Sequence, residues 1–423
     1  MKRVLLVAYW APPRSGVATL RTRHLLRYLP EFGWDVTLFT ASGIPAERGA
    51  AYRTIQTPNV DVQAGVKRFL GISHNGAHAA LGVVPVEHEA RPSWRQRIVE
   101  FGYRATSYPD PQVGWLLPGI SALGRAVRAE RFDAILSSAP PVTSNLMVAA
   151  GKHGVPWVAD VRDLWTGSDQ FGTWPIRRAA DETLERLSLT RASALTTVSE
   201  PIARYLARRF QTSSVTTISN AFDEAEWDGI PFATESRCTF LYAGQLFGGR
   251  RDPRPLFAAI RALLDEGKLA TGDIAVDIYS PEERWLHQAV ATYRLEQIVR
   301  VFGFVDRQTV LQAERRADRL VVLLWDGLGA ESVVTGKLFE YFGARRPVLA
   351  IGGPADSAVD GVLAASGAGV RCTSHDALKR EVLQAVEEHR AGNVRRLSMQ
   401  QLESFGARSM AGRFAGVLDG TVR

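Results

Sequence analysis

Short apolar runs alternate along the chain with segments of helical period. Val4–Tyr9 is a continuous apolar run that stops at a loop containing Gly16, and leucines then recur at helical spacing as far as Leu29. This pattern predicts a strand and a helix that ends near Gly33, followed by a second strand over Val36–Thr40. A strand, a glycine-bearing loop, a helix and a further strand are typical of a parallel βαβ unit.

The same pattern recurs in both halves of the chain. Further strands are predicted over Ala134–Ser138, Val155–Asp160, Ala194–Val198, Thr239–Ala243, Ile274–Tyr279, Arg300–Phe302, Leu320–Leu324, Val348–Ile351 and Gly369–Arg371, with a helix over Pro255–Leu264. Helical segments separate most of these strands. The sequence therefore predicts the α/β class, with two successive doubly wound, Rossmann-like domains.

The expected domain boundaries follow from composition. Residues 1–221 are predicted to form the N-terminal domain and residues 222–399 the C-terminal domain. Between them, Asp223–Thr234 is rich in acids and turn formers and is interpreted as a linker. Within residues 400–423, Gln400–Leu418 has an amphipathic pattern and predicts a final helix that crosses back to the N-terminal domain.

Composition narrows the class of protein. The 423 residues, of which 46% are apolar and 22% charged, exclude a disordered or fibrous chain. Lys and Arg number 51 against 44 acids, and the net charge of +7 suits anionic ligands or an acidic membrane surface. Without concentrated basic runs, nucleic acid is not an expected partner. Cys238 and Cys372 are far apart, so neither a disulfide framework nor a zinc site is predicted.

A basic segment over residues 64–104 leaves two interpretations open. Arg91, Arg95 and Arg97 lie among aromatic residues such as Trp94, which fits either a solvated helix or a patch that faces an anionic membrane. No apolar run of about 18 residues predicts a membrane span. The start of the chain lacks a signal-peptide cleavage site. A cytoplasmic location is expected, and under the second interpretation the protein also contacts the inner face of the membrane peripherally.

The strongest chemical signal is the run Val334–Ala350. Thr335 and Gly336 can open a helix whose free backbone N–H groups face an anion, and Lys337 adds positive charge at that end. Glu340 lies on nearly the same helical face, where its carboxylate can accept hydrogen bonds from ribose hydroxyls. The alternative interpretation is a capped surface helix that leads into a core strand.

This run is similar to the donor-site motif of GT-B glycosyltransferases of family 4. Further matches follow in the family's order at Tyr9–Pro13, Gly33–Thr40, Pro109-Asp110, Phe132–Pro141, Pro156–Trp165, Thr197–Ser199, Ile218–Asp223, Leu241–Gln245 and Phe302–Val305. The resemblance covers most of the chain. It implies a GT-B fold, with two Rossmann-like domains facing across a cleft. It also implies a retaining transferase that moves a sugar, as hexosyltransferases do, in the biosynthesis of surface polysaccharides or glycoconjugates.

Several donor-side roles are implied by the resemblance. The catalytic group comprises Arg251, Lys337 and Glu331, and the donor-binding group comprises Gly16, Gln245, Arg250, Val305, Ser332, Thr335, Gly336 and Glu340. Arg251 would bind the diphosphate, with Arg250 as its rival, and Val305 would approach the base through its backbone. The family's usual first glutamate is replaced by Ser332. Either Glu331, one residue earlier, reaches the donor sugar instead, or this chain makes no carboxylate contact with the sugar at that point.

The acceptor is expected at the N-terminal domain, where the Gly16 loop, Asp110, Arg162 and Asp163 follow strand ends, because ligands of open parallel sheets gather at the carboxyl ends of the strands. The expected substrates are a nucleotide-sugar donor and a glycan, lipid-linked or small-molecule acceptor. No metal and no other cofactor is expected, because backbone N–H groups, Lys337 and Arg251 can neutralise a diphosphate.

Two other functions stay open from the sequence. One is a catalytically silent GT-B protein that only binds a nucleotide sugar, and the other is an enzyme similar to UDP-sugar 2-epimerases. The presence of Lys337, Glu340 and Arg251 favours an active transferase.

Overall fold

The computed structural model describes residues 1–14, 16–43, 49–62, 106–151, 153–167, 175–211, 215–281 and 283–422. The basic segment predicted over residues 64–104, with its two open interpretations, lies outside these residues. The chain divides into two compact units. The first contains the described residues up to Asn220 together with those from Ala407 onward, and the second runs from Ala221 to Gly406.

The first unit is built on a parallel sheet with helices between its strands. Its strands are β1 (Lys2–Ala8), β2 (Trp34–Ala41), β3 (Arg53–Thr57), β4 (Ala134–Ala139), β5 (Trp157–Val161), β6 (Ala194–Thr197) and β7 (Val215–Thr217), and its helices are α1 (Val17–Tyr28), α2 (Leu116–Ala129), α3 (Val142–Ala150), α4 (Pro175–Leu189) and α5 (Glu200–Phe210). The strand order is β3-β2-β1-β4-β5-β6-β7. Leu5 pairs with Thr37 on one side and with Ile135 on the other.

Burial explains why the central strands are so apolar. Every residue from Val4 to Ala8 and from Ala134 to Ala139 is buried. Helices cover both faces of a parallel sheet, so its inner strands contain near-continuous apolar runs. This is the feature that made them recognisable in the sequence.

A buried ion pair joins distant parts of the first unit. Arg21 of α1 donates from Nε and Nη2 to the two carboxylate oxygens of Asp160 on β5, both at 2.8 Å. Its remaining N–H groups donate to the carbonyls of Ile218 and Ser219. Phe414 packs against the guanidinium from the last helix of the chain. Nothing in the local sequence predicted this pair.

The second unit repeats the architecture. Its strands are β8 (Cys238–Ala243), β9 (Ile274–Tyr279), β10 (Val299–Val301), β11 (Arg319–Leu323), β12 (Val348–Ile351) and β13 (Gly369–Cys372), and its helices are α6 (Arg254–Asp265), α7 (Arg284–Thr292), α8 (Arg307–Arg316), α9 (Gly336–Ala344), α10 (Ala358–Ser366), α11 (His375–Arg390) and α12 (Met399–Leu402). The strand order is β10-β9-β8-β11-β12-β13, and the paired strands are parallel. Separate apolar clusters centre on Phe240 and Phe257 and on Phe339 and Phe342. Two doubly wound α/β units are thus present, as the sequence predicted.

Three elements differ from the sequence predictions. Strands β3 and β7 were not predicted, because each is a short edge strand with few apolar residues. The expected linker contains a 3-10 helix over Glu224–Trp227, and Trp227 and Ile230 are buried. It is therefore part of the second unit's core.

The predicted helix Gln400–Leu418 is wrong as a single element. The segment forms α12, a 3-10 helix over Glu403–Phe405 and a separate helix, α13 (Ala407–Thr421), which belongs to the first unit. Gly406 has extended backbone angles and forms an isolated β-bridge with Phe222. This extended residue ends the 3-10 helix before α13 begins. None of the described helices combines the length and apolarity needed to cross a bilayer.

Candidate functional site

The start of helix α9 forms the centre of the candidate site in the second unit. Thr335 is the N-cap, and its hydroxyl accepts the backbone N–H of Lys337 at 3.4 Å. The first N–H groups of a helix have no carbonyl partner within it, and the helix dipole makes that end positive. The predicted capped helix start at Thr335, Gly336 and Lys337 is therefore present, and its binding of an anion stays a prediction.

Lys337 and Glu340 belong to a buried ionic network. The Lys337 ammonium donates to Glu340 Oε1 at 2.5 Å, and Arg307 of α8 donates to Glu340 Oε2 at 2.9 Å. Burial alone would raise the pKa of Glu340, but the charges of Lys337 and Arg307 lower it to about 2. Glu340 is therefore ionised at neutral pH, and cations hold both of its oxygens.

A second acid, Glu314 of α8, lies beneath this network. Its side chain is fully buried, and one carboxyl oxygen lies 3.8 Å from the Lys337 ammonium. Burial and the charge of Glu340 raise the pKa of Glu314 well above its ordinary value. Burial alone would lower the pKa of Lys337, but the acids Glu314 and Glu340 outweigh it and raise that pKa. Lys337 is therefore held charged in a place with little water.

Arg251 lies in the loop that follows strand β8. Its guanidinium packs over the rings of Phe247 and Trp325, with centroid distances of 4.9 and 5.2 Å. Its Nε is buried and has no acceptor among the described residues. The side chain thus has donor capacity that the folded unit leaves unused.

The hydroxyl of Tyr242 is influenced by the charges of both Arg251 and Lys337. Its hydroxyl donates to the carbonyl of Gln245 at 2.8 Å. Burial raises the pKa of Tyr242, and the positive charges of Arg251 and Lys337 partly offset that rise. The charges of both predicted residues thus act on one phenol, in the loops that follow the strands.

Arg250, the predicted rival of Arg251, is exposed. Its guanidinium lies over the same Trp325 ring, 5.7 Å from the centroid. Trp325 was not predicted from the sequence, although it follows shortly after the buried strand β11 (Arg319–Leu323), at the sheet edge where ligands gather. Its position after a strand was the available signal.

Ser332, at the position of the family's usual first glutamate, and the preceding Glu331 differ in exposure. Ser332 is buried, and its hydroxyl donates to the carbonyl of Gly329 at 2.6 Å. Glu331 is exposed on the 3-10 helix Ala330–Ser332. The side chain available to a ligand at this point is thus that of Glu331, and its contact with a sugar stays a prediction.

Val305 is half-buried at the end of an aromatic loop. Phe302 stacks on Tyr279 with a centroid distance of 4.5 Å and an interplanar angle of 7°. Phe304 is 82% exposed, and Gly303 has φ +67°, a conformation that glycine adopts without strain. The loop presents flat surfaces and backbone groups beside Val305.

In the first unit, the predicted loop glycine has the expected conformation. Gly16 has φ +113°, and none of the described residues lies within 4 Å of where a Cβ would be. It is the N-cap of α1, and its carbonyl accepts the N–H and the hydroxyl of Thr19. A side chain at this position would strain the backbone and fill that space.

The acceptor-side predictions fall into two kinds. The Asp110 carboxylate is buried and accepts the N–H and hydroxyl of Thr143 and the N–H of Gln112, so it holds the start of α3. Arg162 donates to the carbonyls of Ala18, Ala139 and Pro140. Asp163 is exposed. Asp110 and Arg162 therefore position loops, and of the three only Asp163 presents a side chain to solvent.

One cluster of side chains of metal-ligand types was not predicted from the sequence. Atoms of Cys238, Asp318 and His389 lie within 4.8 Å of one another. Both carboxylate oxygens of Asp318 already have hydrogen-bond partners. One contacts His389 Nδ1 at 2.9 Å, and the other accepts the N–H of Thr239. Burial raises the pKa of the Cys238 thiol. The cluster is therefore explained by the buried hydrogen bond between Asp318 and His389 beside the protonated thiol of Cys238.

Comparison with known proteins identifies a family over the N-terminal part of the chain. Residues 16–221 match the family model described as a glycosyl transferase 4-like domain. A search of curated protein sequences found no match.

Solved structures are similar over nearly the whole chain. Sucrose-phosphate synthase from Thermosynechococcus elongatus has a TM-score of 0.62 at 14% identity, with 99% of each chain covered. The UDP-forming α,α-trehalose-phosphate synthase from Burkholderia xenovorans has a TM-score of 0.61 at 11% identity, covering 99% of this chain and 100% of that one. S. aureus TarM, solved with fondaparinux, α-GlcNAc-glycerol and UDP, has a TM-score of 0.59 at 10% identity, covering 99% and 100%.

At these identities the structures show the fold, while the family model shows the class of enzyme over the N-terminal half. The chain is a glycosyltransferase with the two-domain GT-B fold, similar to family 4.

Proposed function

We propose that the chain transfers a sugar from a nucleotide-diphosphate sugar to a glycan, lipid-linked or small-molecule acceptor, with retention of configuration. The observation that carries the proposal is the buried network at the start of α9, where Lys337 and Glu340 meet as a charged pair. Two of the similar proteins point to UDP as the nucleotide, since one is named UDP-forming and the other was solved with UDP.

Donor binding would rearrange this network. A diphosphate at the helix start accepts hydrogen bonds from the free N–H groups, and it competes with Glu340 for the Lys337 ammonium. Glu340 then turns Oε1 to the ribose hydroxyls, while Arg307 keeps its hold on Oε2. The pair seen between Lys337 and Glu340 is thus the arrangement that the donor replaces.

Arg251 and Lys337 would act mainly on the chemical step. The bond between the anomeric carbon and the phosphate oxygen breaks, and its electrons pass to the diphosphate as the acceptor oxygen bonds to that carbon. Fixed positive charges stabilise the transition state most where charge grows, and here that is the leaving diphosphate. The unused Nε of Arg251 offers a hydrogen bond for it.

Retention requires the new bond to form on the face that the old bond leaves. The acceptor hydroxyl would therefore approach beside the departing diphosphate, whose oxygens can take up its proton. Glu331, which is exposed next to the buried Ser332, would contact the donor sugar. No metal is required in this scheme, because two side-chain cations and the helix N–H groups face the diphosphate.

The acceptor is assigned to the first unit. There Gly16 leaves open space at the start of α1, and Asp163 presents its carboxylate to solvent. An acceptor used in surface polysaccharide or glycoconjugate synthesis at the inner face of a membrane would also explain the arginines and aromatic residues between 91 and 104. This part of the proposal rests on the sequence of that segment.

The test is a screen of UDP- and GDP-sugars with glycan, lipid-linked and simple sugar acceptors, in the presence and absence of EDTA. Proton NMR of the product reports the anomeric configuration. The proposal predicts one active donor, a product of unchanged configuration and no effect of EDTA. An inverted product would contradict retention, and loss of activity with EDTA would contradict the metal-free scheme.

A further inference from the structure

A second group of cations lies in the same unit, away from the donor motif. Four guanidiniums surround the ring of Phe232, those of Arg315, Arg345, Arg346 and Arg396, at 4.4, 5.6, 5.4 and 4.6 Å from its centroid. We call this group the arginine cluster. We infer that the arginine cluster is a binding site for a phosphoryl group.

The position of the cluster separates it from the donor site. Arg345 and Arg346 follow the C-terminal end of α9 (Gly336–Ala344), whereas Lys337 lies at its start. At 1.5 Å per residue the two ends are roughly 12 Å apart. Arg315 lies in the last turn of α8 and Arg396 precedes α12, so three separate segments of the second unit contribute to the cluster.

The charges of the cluster are not balanced by ion pairs. Among the described residues, no carboxylate forms a salt bridge with any of the four arginines. Three of them donate to backbone carbonyls, such as Arg346 to Ala233 at 2.8 Å and Arg345 to Leu397 at 2.8 Å. Carbonyls satisfy N–H groups but carry no net charge. Four like charges around one ring therefore repel one another, and a bound anion would relieve that repulsion.

Two donors in the cluster also lack acceptors. Arg346 is 0% exposed, and its Nη1 has no hydrogen-bond partner among the described residues; the same is true of Arg315 Nε. A buried donor without an acceptor is costly and rare in folded proteins. Burial, together with the neighbouring charges of Arg396 and Arg315, lowers the pKa of Arg346 to about 10, and the charge of Asp318 offsets this only in part.

A phosphoryl group fits these donors better than a single carboxylate does. Its three free oxygens can each accept from a different guanidinium, and its charge approaches −2 at neutral pH. Arg396 is exposed and provides the side from which a ligand enters. The source is either a small soluble phosphate monoester or the monoester headgroup of a lipid such as phosphatidic acid.

The test is calorimetric titration of inorganic phosphate into the full-length protein at low salt. Arg396→Gln removes one exposed cation of the cluster without disturbing the buried ones. Arg395→Gln is the matched control, since the neighbouring side chain donates to the Gly367 carbonyl and makes no contact with Phe232. Phosphate bound at the start of α9 is unaffected by either change, so the difference between the isotherms reports on the cluster.

The inference predicts that Arg396→Gln raises the dissociation constant of phosphate about tenfold, while Arg395→Gln leaves it unchanged. Phe232→Leu, which keeps every charge but removes the ring, should also weaken binding. No Arg396-dependent binding of either free phosphate or vesicles, or equal losses in both arginine variants, would overturn the inference. Phosphatidic acid vesicles, whose headgroup is a phosphate monoester, form a second arm: Arg396-dependent binding to vesicles but not to free phosphate would assign the site to a lipid headgroup.

Discussion

At the scale of single residues, the site depends on keeping cations charged where water is scarce. Lys337 retains its proton because the ionised Glu340 lies beside it, and Glu340 is ionised because Lys337 and Arg307 hold it. The pair of Lys337 and Glu340 was predictable, since three residues separate positions on one helical face. Arg307 and Glu314 were not, because they come from α8 and only the folded unit brings them there.

Arg251→Ala should lower turnover about 10²- to 10³-fold, the usual loss when one donor to a developing negative charge is removed. Affinity for the donor should change much less, because the negative charge that Arg251 stabilises develops on the diphosphate only as the glycosyl bond breaks. Steady-state kinetics with the active donor measures both. Arg254→Ala is the control, since Arg254 is exposed and pairs with Asp252. Near-normal turnover without Arg251 would move the role to Arg250 or remove it.

Glu314→Gln should stabilise the protein increasingly as the pH rises. The raised pKa of Glu314 means that the unfolded state loses this proton near pH 4.5 while the folded state keeps it, so the parent loses stability above that pH. Glutamine is neutral throughout and avoids this loss. Melting temperatures of both proteins, measured from about pH 4.5 to about pH 8, should diverge with rising pH. A gap that does not change with pH would show that Glu314 is ionised when folded.

At the scale of elements, helix α9 is fixed by close packing as well as by its cap. Gly343 faces the indole of Trp227, and a Cβ at this position would overlap that ring. The sequence predicted the start of the helix from its capping residues. It did not predict the partner, because the segment around Trp227 reads as a polar linker. Buried strands were similarly predictable from apolar runs, whereas the edge strands β3 and β7 lack such runs.

Gly343→Ala should therefore destabilise the protein by about 1–3 kcal/mol, the usual cost of an overfilled site. The matched change Gly361→Ala should stabilise it by about 0.5–1 kcal/mol, because Gly361 lies in α10 with open space around it and alanine favours the helix. Denaturant unfolding of both variants measures the free energies. If the two changes have the same sign, the packing of Trp227 on α9 does not limit this position.

At the scale of the whole molecule, the assignment of roles to the two units is the central claim. Arg251, Lys337 and Glu340 all lie in the second unit, whereas the match to the glycosyl transferase 4-like domain lies in the first. The order of motifs predicted this division, because each motif follows a strand of a doubly wound sheet. The buried pair of Arg21 and Asp160, which links α1 to β5, could not be predicted, since no local pattern relates two such distant residues.

The most direct test is calorimetric titration of UDP and GDP into the full-length parent, Lys337→Gln and Lys268→Gln. Free nucleoside diphosphate carries the terminal charge that develops as the donor reacts, so it reports on the groups that stabilise the leaving group. Lys268 is exposed, pairs with Glu266 and serves as the control. We predict that one nucleotide binds the parent and Lys268→Gln equally, and binds Lys337→Gln about tenfold or more weakly. Equal affinity for all three proteins, or no binding of either nucleotide to the parent, would contradict a diphosphate site at the start of α9.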